Sequence, residues 1–287
     1  MNLTSINSMR PLSNGVEIEA VGYGTFRTPA GVARQAVADA IKVGYRHIDT
    51  AAVYENETEV GQGIKDSGVA RKDLFVTSKL WNTERGYDKT KAAFQASLDR
   101  LDMDYLDLYL IHWPANTRQF GDQAESLNAE TWRALEDLYN EGKIRAIGVS
   151  NFMPHHVEAL MKTARIKPMV DQIEVHPGWT HATEIKALQA MDILVEGWAP
   201  LGGQGATVLT NPTMIEIGEK HGKSSAQVAL RWSLQQGVLP LPKSTHIERM
   251  KQNADIFDFE LSDAEMATIS ALKDLGGQSV DPDEVDY

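Results

Sequence analysis

Eight short apolar runs of strand-like composition recur along the chain and alternate with segments whose apolar positions repeat at the helical period. The runs are Val21 to Gly24, His47 to Asp49, Phe75 to Lys79, Leu106 to His112, Ala146 to Ser150, Met169 to Glu174, Leu194 to Trp198 and Val238 to Pro240. Between them lie amphipathic stretches such as Ala30 to Val43, Lys89 to Leu101, Ala129 to Glu141, Ala182 to Met191 and Ser225 to Gln236. Gly44 follows the first of these stretches and Gly142 the third, as helix stops should. Such alternation predicts a parallel sheet with crossover helices, and eight units can close into a cylinder that leaves no sheet edge. The expected fold is therefore α/β: a (β/α)8 TIM barrel with two extra helices, spanning residues 1–287 as a single domain. Asn14-Gly15 between two short runs predicts a β-hairpin over about residues 9–19, plugging one end of the barrel. The acidic, glycine-containing stretch over about 276–287 reads as a tail with only partial order.

An open doubly wound sheet is the competing architecture, but its phosphate fingerprint fails. Gly22-Tyr23-Gly24 is followed by Arg27 where a third glycine is required. Gly222-Lys223-Ser224 resembles the end of a phosphate loop, yet Gly218 stands one residue too close and no strand precedes it, so it reads as a turn between helices. The Gly- and Thr-rich stretch from Leu201 to Pro212 exceeds an ordinary βα loop and is either a flexible lid or an idle surface loop.

The net charge of −12 argues against nucleic acid or an anionic membrane as partner. No run approaches the roughly 18 apolar residues of a membrane span, and no basic-then-apolar leader opens the chain, so a cytoplasmic location is expected. The absence of cysteine excludes disulfides, thiol nucleophiles and cysteine-ligated zinc. His155, His156, His181 and His221 have no partner at metal-ligand spacing along the chain, and no metal is predicted.

Asp49, Tyr54, Lys79 and His112 each fall at or just after the C-terminal end of a strand-like run, the end where barrel enzymes build their sites. Singly, they read as surface charges, a packing tyrosine and a capped strand end. Jointly, they suit hydride transfer to a carbonyl. Negative charge growing on the carbonyl oxygen needs a proton, which Tyr54 can give. Lys79 beside it is expected to favour the phenolate and draw the phenol's pKa down towards physiological pH. Asp49 is the natural counter-ion for a buried Lys79, and His112 can orient the carbonyl.

The run Gly44-Tyr45-Arg46-His47-Ile48-Asp49-Thr50-Ala51, then Tyr54-Glu55-Asn56-Glu57, Lys79-Leu80-Trp81 and His112-Trp113-Pro114, resembles the aldo-keto reductases. The likeness continues through Gly148-Val149-Ser150-Asn151, Gln172-Ile173-Glu174-Val175-His176-Pro177 and Pro242-Lys243-Ser244-Thr245, from Gly22 to about Asn253. Glu196 to Gly202 and the ending Asp281 to Asp286 look more particularly like the bacterial 2,5-diketo-D-gluconate reductase branch.

The resemblance implies the same four roles and an NADPH bound extended across the barrel mouth, with NADH usable at lower affinity. Trp198, where most members have tyrosine, would stack on the nicotinamide, while Ser150, Asn151 and Gln172 would bind its carboxamide. Ala199 stands where a serine often contacts the diphosphate, leaving that contact to backbone N–H groups around Leu201 and Gly202. Lys243, Ser244, Thr245 and Arg249 would form the phosphate cluster, with Arg249 gripping a 2′-phosphate. Gln252 and Asn253 would lie near the adenine, and Gly24 and Thr25 would complete the cofactor set. His246 stands where the closest branch can carry arginine. Substrate would meet Phe26, Trp81, His112 and Trp113, with Ala51 on the floor. Small aldehydes, α-ketocarbonyls or keto sugar acids are expected as substrates of a monomer. Two other readings remain open: an NADPH-binding redox-sensing or scaffold barrel with little turnover, and a phosphate-sugar isomerase or aldolase that needs no dinucleotide.

Overall fold

Eight strands hydrogen-bond in parallel, in chain order: β3 (Gly22–Gly24), β4 (His47–Asp49), β5 (Phe75–Leu80), β6 (Leu106–Ile111), β7 (Ile144–Ser150), β8 (Val170–Glu174), β9 (Leu194–Trp198) and β10 (Leu239–Pro240). The computed structural model describes residues 3–286, so the extremes of the expected domain and tail, residues 1, 2 and 287, lie outside the described residues. The cylinder closes where the Gly24 N–H donates to the Pro242 carbonyl at 3.1 Å. A Cβ at Gly24 would stand 3.2 Å from the Leu241 carbonyl oxygen, so the seam favours glycine there. This is the (β/α)8 barrel that the alternation predicts.

Crossover helices cover the sheet: α1 (Ala33–Val43), α2 (Glu57–Asp66), α3 (Tyr87–Leu101), then, after the single turn α4 (Thr117–Phe120), α5 (Ala124–Asn140), α6 (Pro154–Met161) and α7 (Ala182–Ala190). They continue with α8 (Pro212–His221), α9 (Ser225–Gln235), α10 (Ile247–Ala254) and α11 (Asp263–Ser270). α1 shows the local logic. Ala33, Ala36, Val37, Ala40 and Ile41 form its buried stripe, and Gly44 ends it at φ 125°, its N–H donating to the Ala40 and Ile41 carbonyls. In α2, Gly61 and Gly63 weaken the helical signal but are required by packing: a Cβ at either would overlap the carbonyl of Leu101 or of Arg34. The Gly222-Lys223-Ser224 segment is a turn between helices, with Gly222 ending α8 at φ 65° and Ser224 capping α9 together with Gln227.

The hairpin pairs β1 (Met9–Pro11) antiparallel with β2 (Glu17–Glu19) through a loop wider than a two-residue turn. Leu12 N–H donates to the Val16 carbonyl, and Asn14 Nδ2 reaches the Arg145 carbonyl at 2.9 Å. Arg145 lies near the start of β7, so the hairpin covers the N-terminal end of the barrel, with Ile18 and Ala20 wholly buried. Burial, then the charge of Asp107, pushes the Glu19 carboxyl up to about 7 from an ordinary 4.5. The folded state therefore holds a proton that the unfolded chain releases. This stabilisation is complete below the ordinary carboxylate pKa and is lost as pH climbs through 7. Glu19→Gln is expected to raise unfolding free energy at pH 8 by on the order of 2 kcal/mol and to change it little near pH 4.5, as read by urea denaturation at both pH values. Equal effects at the two pH values would contradict a buried, protonated Glu19.

The acidic tail is pinned rather than loose. Asn116 Nδ2 donates to the Pro282 and Val285 carbonyls at 2.9 and 3.0 Å, and Arg118 pairs with Glu284 and Asp286. Glu174 accepts the N–H groups of Gln278 and Ser279 at 2.7 and 2.8 Å. His155 and His156 both meet Asp283, at 3.1 and 3.0 Å, a gathering that spacing along the chain could not reveal. His156 Nδ1 accepts the Met153 N–H, so its neutral ring carries the proton on Nε2 and donates it to Asp283.

Candidate active site

A groove of about 1480 Å³ opens at the C-terminal ends of the strands. Parallel register sets Asp49 of β4 beside Thr77 of β5, and Lys79, two residues on, points the same way into the barrel. Lys79 is fully buried. Its Nζ donates to Asp49 Oδ1 at 2.7 Å, to Asp49 Oδ2 at 2.8 Å and to the Thr50 carbonyl at 3.0 Å, and reaches Tyr54 Oη at 3.4 Å. Tyr54 ends the 3₁₀ turn Ala52–Tyr54 that follows β4, its N–H donating to the Ala51 carbonyl. His112 follows β6 directly, and its ring meets the Tyr54 ring edge-on at 5.8 Å. The four residues expected to converge are thus brought together on one wall.

Burial pulls the Lys79 ammonium down, but Asp49 and Tyr54 more than offset it and hold the group above its ordinary value. Tyr54 departs from expectation. Burial pushes its phenol up, Lys79 pulls it back, Asp49 adds to the rise, and the net direction is upward rather than towards neutrality. The lysine tempers the rise without reversing it, because burial penalises a phenolate more than one cation shared with Asp49 rewards it. Burial, then Lys79 and Arg85, holds the His112 imidazole well below its ordinary range, so the ring is neutral at physiological pH. Arg85 is itself buried and donates to the Trp113 and Pro114 carbonyls just past His112.

The residues assigned to the nicotinamide form one hydrogen-bonded set. Asn151, at φ 61°, donates to the His112 carbonyl and Ser150 Oγ and accepts from Trp198 Nε1 at 2.8 Å. Ser150 Oγ donates to the Gln172 carbonyl, and Gln172 Nε2 donates to Asp49 Oδ2. Gly24, Trp198, Ala199, Leu201 and Gly202 line the same groove, as do Lys243, Ser244, Thr245, Arg249, Gln252 and Asn253 beyond β10. Phe26, Trp81, His112 and Trp113 line it beside Tyr54, with Phe26 4.9 Å from the Tyr54 ring and Trp81 5.2 Å from that of His112.

Three assignments are corrected. Ala51 is wholly buried and does not reach the groove, because its carbonyl anchors the turn that presents Tyr54. Thr25 is buried as well, its N–H and Oγ1 both donating to the Asp49 carbonyl, so it braces the site without lining it. The Gly202 N–H donates to the Ala199 carbonyl at 2.7 Å and is therefore engaged within its own turn rather than free for a diphosphate.

Other lining residues went unread in the sequence. Arg27 sits at the rim with its guanidinium 5.0 Å from the Phe26 ring centre; a cation straight after the first strand could have flagged it. Lys223, Ser224 and Ser225, at the start of α9, and Gly277 and Gln278 of the tail also line the groove. Their placement depends on packing between distant segments, which leaves no local signature.

A groove of this volume, running from a half-buried phenol beside a buried lysine and carboxylate to a cationic helix start, belongs to a barrel oxidoreductase with room for a dinucleotide beside its substrate. The family model "Aldo/keto reductase family" matches residues 20–274. The chain is similar to glyoxal reductase of Bacillus subtilis, 51% identical over 283 residues that cover 98% of this chain and 99% of that one. It is 46% identical over 277 residues to 9,11-endoperoxide prostaglandin H2 reductase of Trypanosoma cruzi, covering 95% of this chain and 94% of that one. Among solved structures, the Bombyx mori aldo-keto reductase in complex with NADP superposes with a TM-score of 0.85 at 39% identity, covering 92% of each chain. The chain belongs to the aldo/keto reductase family and is an oxidoreductase.

Proposed function

We propose that this protein uses NADPH to reduce small aldehydes and α-ketocarbonyls to alcohols, with Tyr54 as the proton donor. One observation carries the reading: Lys79 Nζ touches Asp49 and Tyr54 at once, on a groove wall shared with neutral His112. Bound NADPH would supply a hydride to the carbonyl carbon. The oxygen then takes a proton from Tyr54, while His112 donates a hydrogen bond to hold that oxygen in place and Lys79 stabilises the phenolate left behind. A phenol that stays protonated through the physiological range is suited to this direction of reaction. Trp198 supplies the stacking face, Ser150, Asn151 and Gln172 the carboxamide contacts, and Arg249 with Lys243 the adenosine phosphate contacts. The NADP-bound relative and the glyoxal reductase relative support the cofactor and the substrate class.

Arg249→Ala is expected to weaken NADPH about tenfold or more and NADH little, the difference being one charge-assisted bidentate contact. Quenching of tryptophan fluorescence by each nucleotide checks this, since Trp198 lines the groove. Equal weakening of both would remove Arg249 from the 2′-phosphate. The second reading of substrate is a keto sugar acid such as 2,5-diketo-D-gluconate, favoured by the run Glu196 to Gly202 and by Arg27 at the rim, which offers a cation to a carboxylate. NADPH oxidation measured with glyoxal, methylglyoxal, an aromatic aldehyde and 2,5-diketogluconate separates the two. Absence of turnover with all four, despite NADPH binding, would favour the scaffold alternative instead. Reliance on a cofactor regenerated inside cells supports the cytoplasm. No helix among the described residues is long and apolar enough to cross a membrane.

A further inference from the structure

One layer below the mouth, the barrel interior holds polar groups that the proposed reaction does not yet use. Glu196 of β9 is fully buried and stands in register with Gln172 of β8. Gln172 Nε2 donates at 2.9 Å to Glu196 Oε2 and at 2.9 Å to Asp49 Oδ2, so one amide joins two carboxyl groups. Asp49 is matched by Lys79. Glu196 pairs directly with no lysine or arginine among the described residues, although Lys79 acts on it from a distance, and its Oε1 has no hydrogen-bond partner there. The nearest ring nitrogen, His47 Nε2, lies 3.7 Å away and meets Thr77 Oγ1 at 3.1 Å.

We propose that Glu196 is a positioning residue for carbonyl reduction: held as a neutral acid, it orients the Gln172 amide towards the cofactor and spares the Asp49–Lys79 pair a second negative charge. The proposal rests on the NADPH-dependent reading above and deepens it. Both N–H bonds of the Gln172 amide go to carboxyl oxygens, so the amide oxygen points the other way. Gln172 lines the groove, and an acceptor there suits the NH2 of a nicotinamide carboxamide.

The charge argument is independent of the cofactor. Two carboxylates sharing one donor in a buried interior cannot both ionise cheaply. Asp49 keeps the charge because Lys79 donates to both of its oxygens, which leaves the proton on Glu196. Burial, then Asp49, pushes Glu196 up to about 8. The titratable groups facing it are His47 and Asp49 of β4 and Lys79 of β5. Burial, then Lys79, holds His47 down at about 3, so it stays neutral and takes no proton. The neutral form of Glu196 therefore persists through the physiological range and is lost as pH rises through about 8. Above that, a new negative charge one amide away from Asp49 makes Lys79 hold its proton harder and Tyr54 a weaker acid.

The test follows the ¹⁵N signal of the Gln172 side-chain amide, assigned by its loss in Gln172→Met, from about pH 6 to 9.5, with NADPH affinity measured by fluorescence. In the wild type the signal is expected to move with a midpoint near 8, and in Glu196→Gln to stay put. Glu196→Ala is expected to raise the NADPH Kd about tenfold, as loss of one orienting hydrogen bond should. If the alanine variant does not fold, the glutamine variant decides alone. A wild-type amide that does not titrate near 8, or one that titrates identically in Glu196→Gln, overturns the proposal. Unchanged NADPH affinity in Glu196→Ala overturns the orienting role. A wild type that fails to bind NADPH sinks the reductase reading itself, an outcome distinct from these.

Discussion

Tyr54→Phe is expected to lower kcat/KM for methylglyoxal reduction by about two to four orders of magnitude, the range typical of a lost general acid. NADPH affinity should change by less than about twofold, because the proposal gives this hydroxyl to the substrate oxygen rather than to the cofactor. The change deletes one oxygen at 3.4 Å from Lys79 Nζ and leaves the ring packed against Phe26 and His112, so the fold should survive. Fluorescence titration and initial rates on the same preparation separate binding from chemistry. Full turnover in the phenylalanine variant would pass the proton donor's role to His112 or to a water molecule.

Lys79→Met should damage both stability and turnover. Asp49 is 4% exposed, and without the ammonium its carboxylate keeps, among the described residues, the Gln172 amide as its side-chain partner. Breaking a buried pair from one side costs about 3–5 kcal/mol. Turnover should fall at least as far as in Tyr54→Phe, because the phenolate loses its stabilising charge. The double variant Asp49→Asn with Lys79→Met removes the stranded carboxylate and should recover much of the stability but none of the activity. Urea denaturation beside steady-state rates reads both. A single variant within about 1 kcal/mol of wild type would mean that water or protonation of Asp49 relieves the pair, and that its burial has been overrated.

How far the sequence alone carried this reading depended on whether the signal was local. The strands were legible because a parallel barrel strand is buried on both faces and reads as an apolar run, and the tetrad because each member follows such a run. α2 was not picked out, since its two glycines serve the close approach of Leu101 and Arg34 rather than the helix itself. The interior polar layer of His47, Thr77 and Glu196 was hidden, because Arg46, Ser78 and Gly197 beside them break any apolar alternation. A doubly buried strand also carries no solvent contrast between its faces. Ala51 and Thr25 sit within two residues of lining positions, and only backbone geometry separates lining from bracing. The balance at Tyr54 also lay beyond composition, because proximity to a lysine is readable along the chain while the depth of burial opposing it is not. The tail's partners, from Asn116 to Glu174, lie more than a hundred residues upstream.

The central claim is that Tyr54, backed by Lys79, delivers the proton to a carbonyl oxygen. It is tested most directly by a crystal structure with NADP⁺ and an unreactive carbonyl-bearing inhibitor, in which the distance from the inhibitor oxygen to Tyr54 Oη is measured. The account predicts hydrogen-bond reach, about 2.6–3.2 Å, with His112 on the same oxygen and the nicotinamide stacked on Trp198. An oxygen beyond reach of Tyr54 while the nicotinamide lies in the groove would contradict it.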